Sequence, residues 1–166
     1  MTTSPPARVI LQLLAGTDNK GQAVLEKVVA QPLAEADTFE LLRTPLFIRN
    51  LAAGDHFRVS STVPGTFTVT RRSGKLSIRV FRKENIDSLE QQLSPEVEKL
   101  GGSLDVKTER ALAYSLHVNI GFAAIETLFD NKMAEFRDSV WFYGNIYDPA
   151  DGVTPLHWWD EFLNQV

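Results

Sequence analysis

Cysteine is missing from this chain, which excludes a disulfide framework, a thiolate nucleophile and every cysteine-ligated zinc or iron–sulfur site. Long hydrophobic runs are missing too. No stretch approaches the ~20 apolar residues that span a bilayer, and Met1-Thr2-Thr3-Ser4-Pro5-Pro6 lacks the basic segment of an export signal. The expectation is a protein neither exported nor membrane-inserted, suited to a reducing cytoplasm. Positive charge is in deficit: 17 Lys and Arg against 21 Asp and Glu leave a formal charge of −4, with no long-range field toward nucleic acid or anionic lipid. His56, His117 and His157 form no HxH or HExxH spacing, so neither a metal nor a cofactor is expected. No glycine-rich phosphate loop opens a helix, and Arg72-Ser73-Gly74 lacks the strand-to-helix context of a hydrolase elbow.

The 166 residues that remain are 43% hydrophobic and 23% charged, enough for one core without a staple. Arg8–Leu14 reads as a strand closed by the turn-rich Gly16–Gly21. Ala23–Pro32 reads as a second extended stretch, though its first half would also draw as a short helix. Thr38–Leu42 is strand-like, and Pro45 pushes Thr44 toward an extended conformation ahead of Leu46-Phe47-Ile48. His56–Ser60, Thr66–Arg71 and Leu76–Phe81 form a meander joined by turns at Pro64-Gly65 and Ser73-Gly74.

The apolar period then lengthens. Ile86, Leu89, Leu93, Val97 and Leu100 mark a helical stripe ended by Gly101-Gly102, with Ser94-Pro95 giving a kink or starting a fresh helix. Ser103–Lys107 and Arg110–Val118 are strands. Asn119 is placed as the N-cap of a helix carrying Phe122, Ile125, Leu128, Phe129, Met133 and Phe136, and Ser139–Tyr147 is rich in strand formers. The order from residue 76 is β-α-β-β-α-β. The fold expected is α+β: a β-rich N-terminal section over 8–72, packed with a ferredoxin-like βαββαβ section over 73–147, then a tail over 148–166 with a short helix from Leu156.

Two sets of residues stand out. Trp141, Tyr143, Trp158 and Trp159 belong to a late cluster of aromatics, which fills a core or presents a partner surface, since Trp and Tyr combine large contact area with a polar handle. Asp55, Arg72 and Arg79 are the polar residues that could converge in a pocket between the two sections. Asp55-His56 is poor geometry for a catalytic dyad, because adjacent strand residues face opposite ways, and a carboxylate capping backbone donors is the simpler role for Asp55. A ferredoxin-like sheet raises RNA binding, but the aromatic and basic motif of that class is absent.

Leu25–Leu33, Thr38–Phe47, Leu51–Asp55 and Arg71–Val80 together resemble the bacterial family called domain of unknown function 4265. That family runs from a Glu-x-x-Trp-Ala segment through Pro-Phe-Phe/Tyr and Gly-Asp to an Arg-Ser-Gly-His/Asn turn. The chain keeps Glu26, Ala30, Pro45, Phe47, Gly54, Asp55, Arg72, Ser73 and Gly74. It departs at Val29 and Lys75, and Ser139 and Gly144 stand where the closing Gly-x-Trp-x-Tyr-Glu region has Gly and Glu. The likeness covers about residues 8–147 and implies no established activity. The leading reading is a small protein-binding or regulatory module of immunity type without catalysis. The alternative is a small-molecule sensor or enzyme with its site between the sections.

Overall fold

A computed structural model describes residues 7–163; the expectation for the first six residues and the end of the terminal helix lie outside them. The chain is α+β, built on two antiparallel sheets. The first is a meander of five strands in sequence order: β1 (Val9–Thr17), β2 (Ala23–Pro32), β3 (Thr38–Leu41), β4 (His56–Val59) and β5 (Phe67–Arg71). Its core is Leu13, Val28, Ala30, Leu41 and Phe57, the inward residues of the strands, completed by Ile48 and Leu51 from the loop between β3 and β4. Ala23–Pro32 resolves to strand because Val28 and Ala30 alternate onto that core while Lys27 faces solvent.

The second sheet has the order β7-β8-β6-β9, from β6 (Lys75–Arg82), β7 (Ser103–Lys107), β8 (Ala111–His117) and β9 (Ser139–Tyr143). Helix α1 (Ile86–Lys99) connects β6 to β7, and α2 (Phe122–Glu135) connects β8 to β9. Leu89, Leu93 and Val97 of α1 and Ile125 and Phe129 of α2 bury against Ile78, Val80, Leu112, Tyr114 and Leu116, so both helices cover one face. A short helix, α3 (Asp160–Leu163), ends the described chain.

Two local expectations change. No fresh helix starts at Pro95: α1 runs through it, and Ser94, buried, hydrogen-bonds the Tyr114 hydroxyl at 2.8 Å instead of capping. Asn119 does not cap α2, because a 3-10 turn over Val118–Ile120 intervenes and Gly121 takes the cap position.

The helix-free face of the second sheet receives the loop over residues 42–55. Its Leu46 packs on Ala111 and Ala113, with Phe81 and Val106 at the edge, while Ile48 and Leu51 turn into the first sheet. One loop thus supplies core residues to both sheets and seals them together.

Candidate functional site

The loop between β3 and β4 is held by side chains that satisfy its backbone, as a loop pressed between two sheets requires. Glu26 on β2 accepts three N–H groups: Leu46 at 2.8 Å on one oxygen, Phe47 and Ile48 at 2.9 Å on the other. Asp105 on β7 accepts Thr44 N–H at 2.9 Å. From β6, Arg79 donates to the carbonyls of Leu46 at 3.1 Å and Phe47 at 3.3 Å. Asn50 N–H donates to the Gly144 carbonyl at 2.9 Å, tying the loop to the end of β9.

Asp55 and Arg72 form the second fastening. Asp55 is fully buried and accepts Ala52 N–H at 3.0 Å and Ser73 N–H at 2.9 Å, and Arg72 lies 3.5 Å from it. Arg72 also donates to the carbonyl and the side-chain oxygen of Asn50, and its guanidinium sits 5.6 Å above the Trp158 ring. Burial raises the Asp55 pKa above the ordinary carboxylate value, against the Ser73 N–H, the Arg72 charge and the Ala52 N–H. Burial likewise lowers that of Arg72, against the attraction of Asp55. Ser73 donates its hydroxyl to the Ala53 carbonyl at 2.8 Å, and a side chain at Gly54 would meet Ser73 Cβ at 2.8 Å. Gly74 has φ 95°, and a Cβ there would lie 2.5 Å from His117 Nε2. This cluster sits where the chain leaves the first sheet for the second. Both carboxylate oxygens of Asp55 are engaged by its neighbours.

The aromatics singled out from the sequence are all part-buried against the second core. Trp141 donates to Asp130 at 2.8 Å and packs on Phe129, and Tyr143 meets Phe122 edge-on. Trp158 donates to the Asn145 carbonyl at 2.7 Å, and Trp159 packs on Phe122. Burial pushes the Tyr143 hydroxyl above its usual range. Exposed apolar side chains beside them include Phe47 (51% exposed), Val140 (49%) and Phe142 (52%), while others such as Ile10, Val63 and Val153 stand apart on the chain. The rings of Phe47, Phe81 and Phe142 succeed one another at 6.0 and 6.2 Å. Because β9 alternates, Trp141 and Tyr143 face the helices while Val140 and Phe142 face out, opposite Phe81 and Arg79 of β6.

Arg79 does not join Asp55 and Arg72. It lies in a cleft of about 310 Å³ with Arg49, Phe142, Gly144, Tyr147 and Asp148. Burial lowers its pKa first, and the neighbouring Arg49 charge adds to that, against Glu26. Sequence reasoning did not single out Arg49 or Phe47 as site residues and held Phe142 only within the late aromatic cluster; the local signal was the unbroken apolar run Val140–Tyr143, which leaves a second apolar face on β9. The histidines are scattered: His56 meets Glu40 at 3.3 Å, His117 accepts Asn119 N–H at 3.1 Å, and His157 is 3.8 Å from Asp160. Among the described residues no three His, Asp or Glu side chains gather as a metal site would require, and no helix is long and apolar enough to cross a membrane.

A family model described as Domain of unknown function (DUF4265) matches residues 26–137. The chain belongs to that family. The matched span opens at Glu26 and contains Asp55, Arg72, Arg79 and Asp105 of the two fastenings of the DUF4265 chain, and it stops short of β9, Gly144 and Trp158. A solved structure described as "Novel crystal structure of a hypothetical protein from Neisseria gonorrhoeae" is similar in fold, with a TM-score of 0.62 and 14% identity over 86% of this chain and 96% of that one. No curated protein matches the chain.

Proposed function

We propose that this DUF4265 chain is a binding module that takes up an extended apolar segment of a partner protein along β9. The observation that carries the reading is the composition of that edge. β9 is the last strand of its sheet, and Ser139-Val140-Trp141-Phe142-Tyr143 has no charge and no proline, the residues with which proteins ordinarily blunt an exposed edge. The opposite edge, β7, carries Asp105 and Lys107 and a bulge between Leu104 and Val106. The edge of β1 is bulged at Leu14 and Gly16, and Leu14 N–H is taken by the Gly65 carbonyl at 2.8 Å. An added strand on β9 would gain main-chain hydrogen bonds from the edge and apolar contact from Val140, Phe142, Phe81 and Phe47.

In this reading Trp141, Tyr143, Trp158 and Trp159 are the packed layer that holds β9 rigid, and Asp55 and Arg72 hold the sheets in register. The strand order β7-β8-β6-β9 with α1 and α2 on one face supports taking residues 73–147 as a ferredoxin-like section beside a β-rich section over 8–72. A cytoplasmic regulatory or immunity-type role fits a chain without cysteine.

The test is reconstitution of the complex from this chain and the purified partner. Val140→Lys places a charge on the edge, and Phe47→Ser removes the end of the apolar ladder. Both residues are half exposed, so the fold stays intact while the complex weakens by about tenfold or more. A complex indifferent to both substitutions, or pairing of β9 only with β9 of a second copy, refutes the reading.

A further inference from the structure

We infer that the cleft between Arg49 and Arg79 is a binding site for the phosphate group of a small phosphate monoester. Arg49 is exposed, and among the described residues it makes no hydrogen bond and no ion pair. Arg79 is anchored through Nη1 on two loop carbonyls, which fixes its position, and its Nε is buried without a partner. The two guanidinium groups border the same cleft. The carboxylates nearby make no direct ion pair with them, although the Glu26 charge acts on Arg79 from a distance. Glu26 has both oxygens engaged by backbone N–H groups, and Asp148 accepts Ala150 N–H at 2.9 Å; neither lies within 4.0 Å of a nitrogen of Arg49 or Arg79.

A further polar group lies behind the cleft wall at Gly144. Gly144 lines the cleft, and the missing side chain matters: a Cβ there would collide with Ser77 Oγ and stand 3.3 Å from Arg79 Nε. Ser77 Oγ is a second buried polar atom without a partner. Two guanidinium groups without a carboxylate in ion-pair contact keep N–H donors free for an anion, and the planar fork of arginine is suited to phosphate oxygens. Phe142 and Tyr147 wall the same cleft and give a ring-bearing ester an apolar surface. Arg49 also borders an adjoining hollow of about 530 Å³ along Leu14, Gly65, Phe67 and Pro149, which leaves room for the organic part of the ester.

The experiment titrates the full isotope-labelled chain, without any partner, with inorganic phosphate, adenosine monophosphate, adenosine and acetate. Phosphate and the monophosphate are expected to saturate with dissociation constants below about 1 mM, shifting the Arg79 Nε–H and Gly144 amide signals, while adenosine and acetate do not. Arg49→Ala, exposed and outside every packing cluster, is expected to weaken phosphate binding by about tenfold or more at unchanged thermal stability, and Arg49→Lys to recover part of it. The inference is overturned if neither phosphate probe saturates by about 10 mM, if Arg49→Ala binds as the parent does, or if the shifted signals cluster at Arg71 and Arg72 instead.

Discussion

Replacing Glu26 by glutamine changes one oxygen into an amide nitrogen and nothing else in shape. Glu26 receives Leu46 N–H on one oxygen and the N–H groups of Phe47 and Ile48 on the other. Glutamine keeps the pair on its single oxygen and turns its NH₂ toward Leu46 N–H, a donor facing a donor. Leu46 is buried, so water does not replace the lost acceptor, and the orphaned N–H costs about 1–3 kcal/mol. The two surviving bonds lose their charged acceptor, at roughly 0.5–1 kcal/mol each. The sum is about 2–5 kcal/mol, which for a chain of this size lowers the thermal midpoint by roughly 4–20 °C. Chemical denaturation measures the first figure and calorimetry the second. Amide exchange locates the effect: Leu46 and Ile48 should lose about 30-fold or more in protection, while Leu89 and Leu93 in α1 follow the global change. A Glu26→Gln chain within about 0.5 kcal/mol of the parent, with unaltered exchange in the loop, would refute the claim that this carboxylate holds the sheets together through the loop.

Gly74→Ala is expected to cost about 2–4 kcal/mol in denaturant unfolding, from a left-handed backbone and displacement of His117; a loss below about 1 kcal/mol would show that the ring moves aside freely. Ser94→Ala strands the fully buried Tyr114 hydroxyl and should cost about 1–3 kcal/mol, most of it recovered when Tyr114→Phe is added. If the two losses simply add, the hydroxyls do not depend on each other. Asp55 gives a pH signature. Its folded pKa is raised above the unfolded 3.8, so the native state binds its proton first, and this group's contribution to stability increases as pH falls from neutrality toward 3.8. The parent should therefore gain stability relative to Asp55→Asn over that window in urea titrations, and the opposite slope would mean that Arg72 and the two N–H donors outweigh burial.

The second half of the fold was legible because its signals are local. The stripe Ile86, Leu89, Leu93 and Val97 buries as a unit, and β8 divides into the large inward residues Leu112, Tyr114 and Leu116 and the small Ala111 and Ala113 under the loop. The meander followed from its turns. The loop over 42–55 was not legible, because its order comes from Glu26, Asp105 and Arg79, residues 20 or more positions away. Nor did the sequence show that Asn119 would yield the cap position, a choice made by the 3-10 turn in which Val118 N–H reaches back to the Gly74 carbonyl at 2.8 Å.

For the site, the same distinction sorts the residues. Asp55 could be read as a carboxylate capping backbone donors, since Ala52 is three positions away and the turn at Ser73 was expected. Arg79 next to Arg49 could not be read, because a strand residue and a loop residue 30 positions apart meet only after the loop has crossed the sheet. Of the nine residues through which the chain resembles its family, Glu26, Gly54, Asp55, Arg72, Ser73 and Gly74 fasten loop, turn and sheets, whereas Phe47 stands exposed. The groups left free to meet another molecule, Arg49, Phe142 and the edge of β9, lie on the surface that this fastening creates. Joining the two sheets thus engages many of the described polar side chains, and the proposed binding surfaces rest on those that this joining leaves outward.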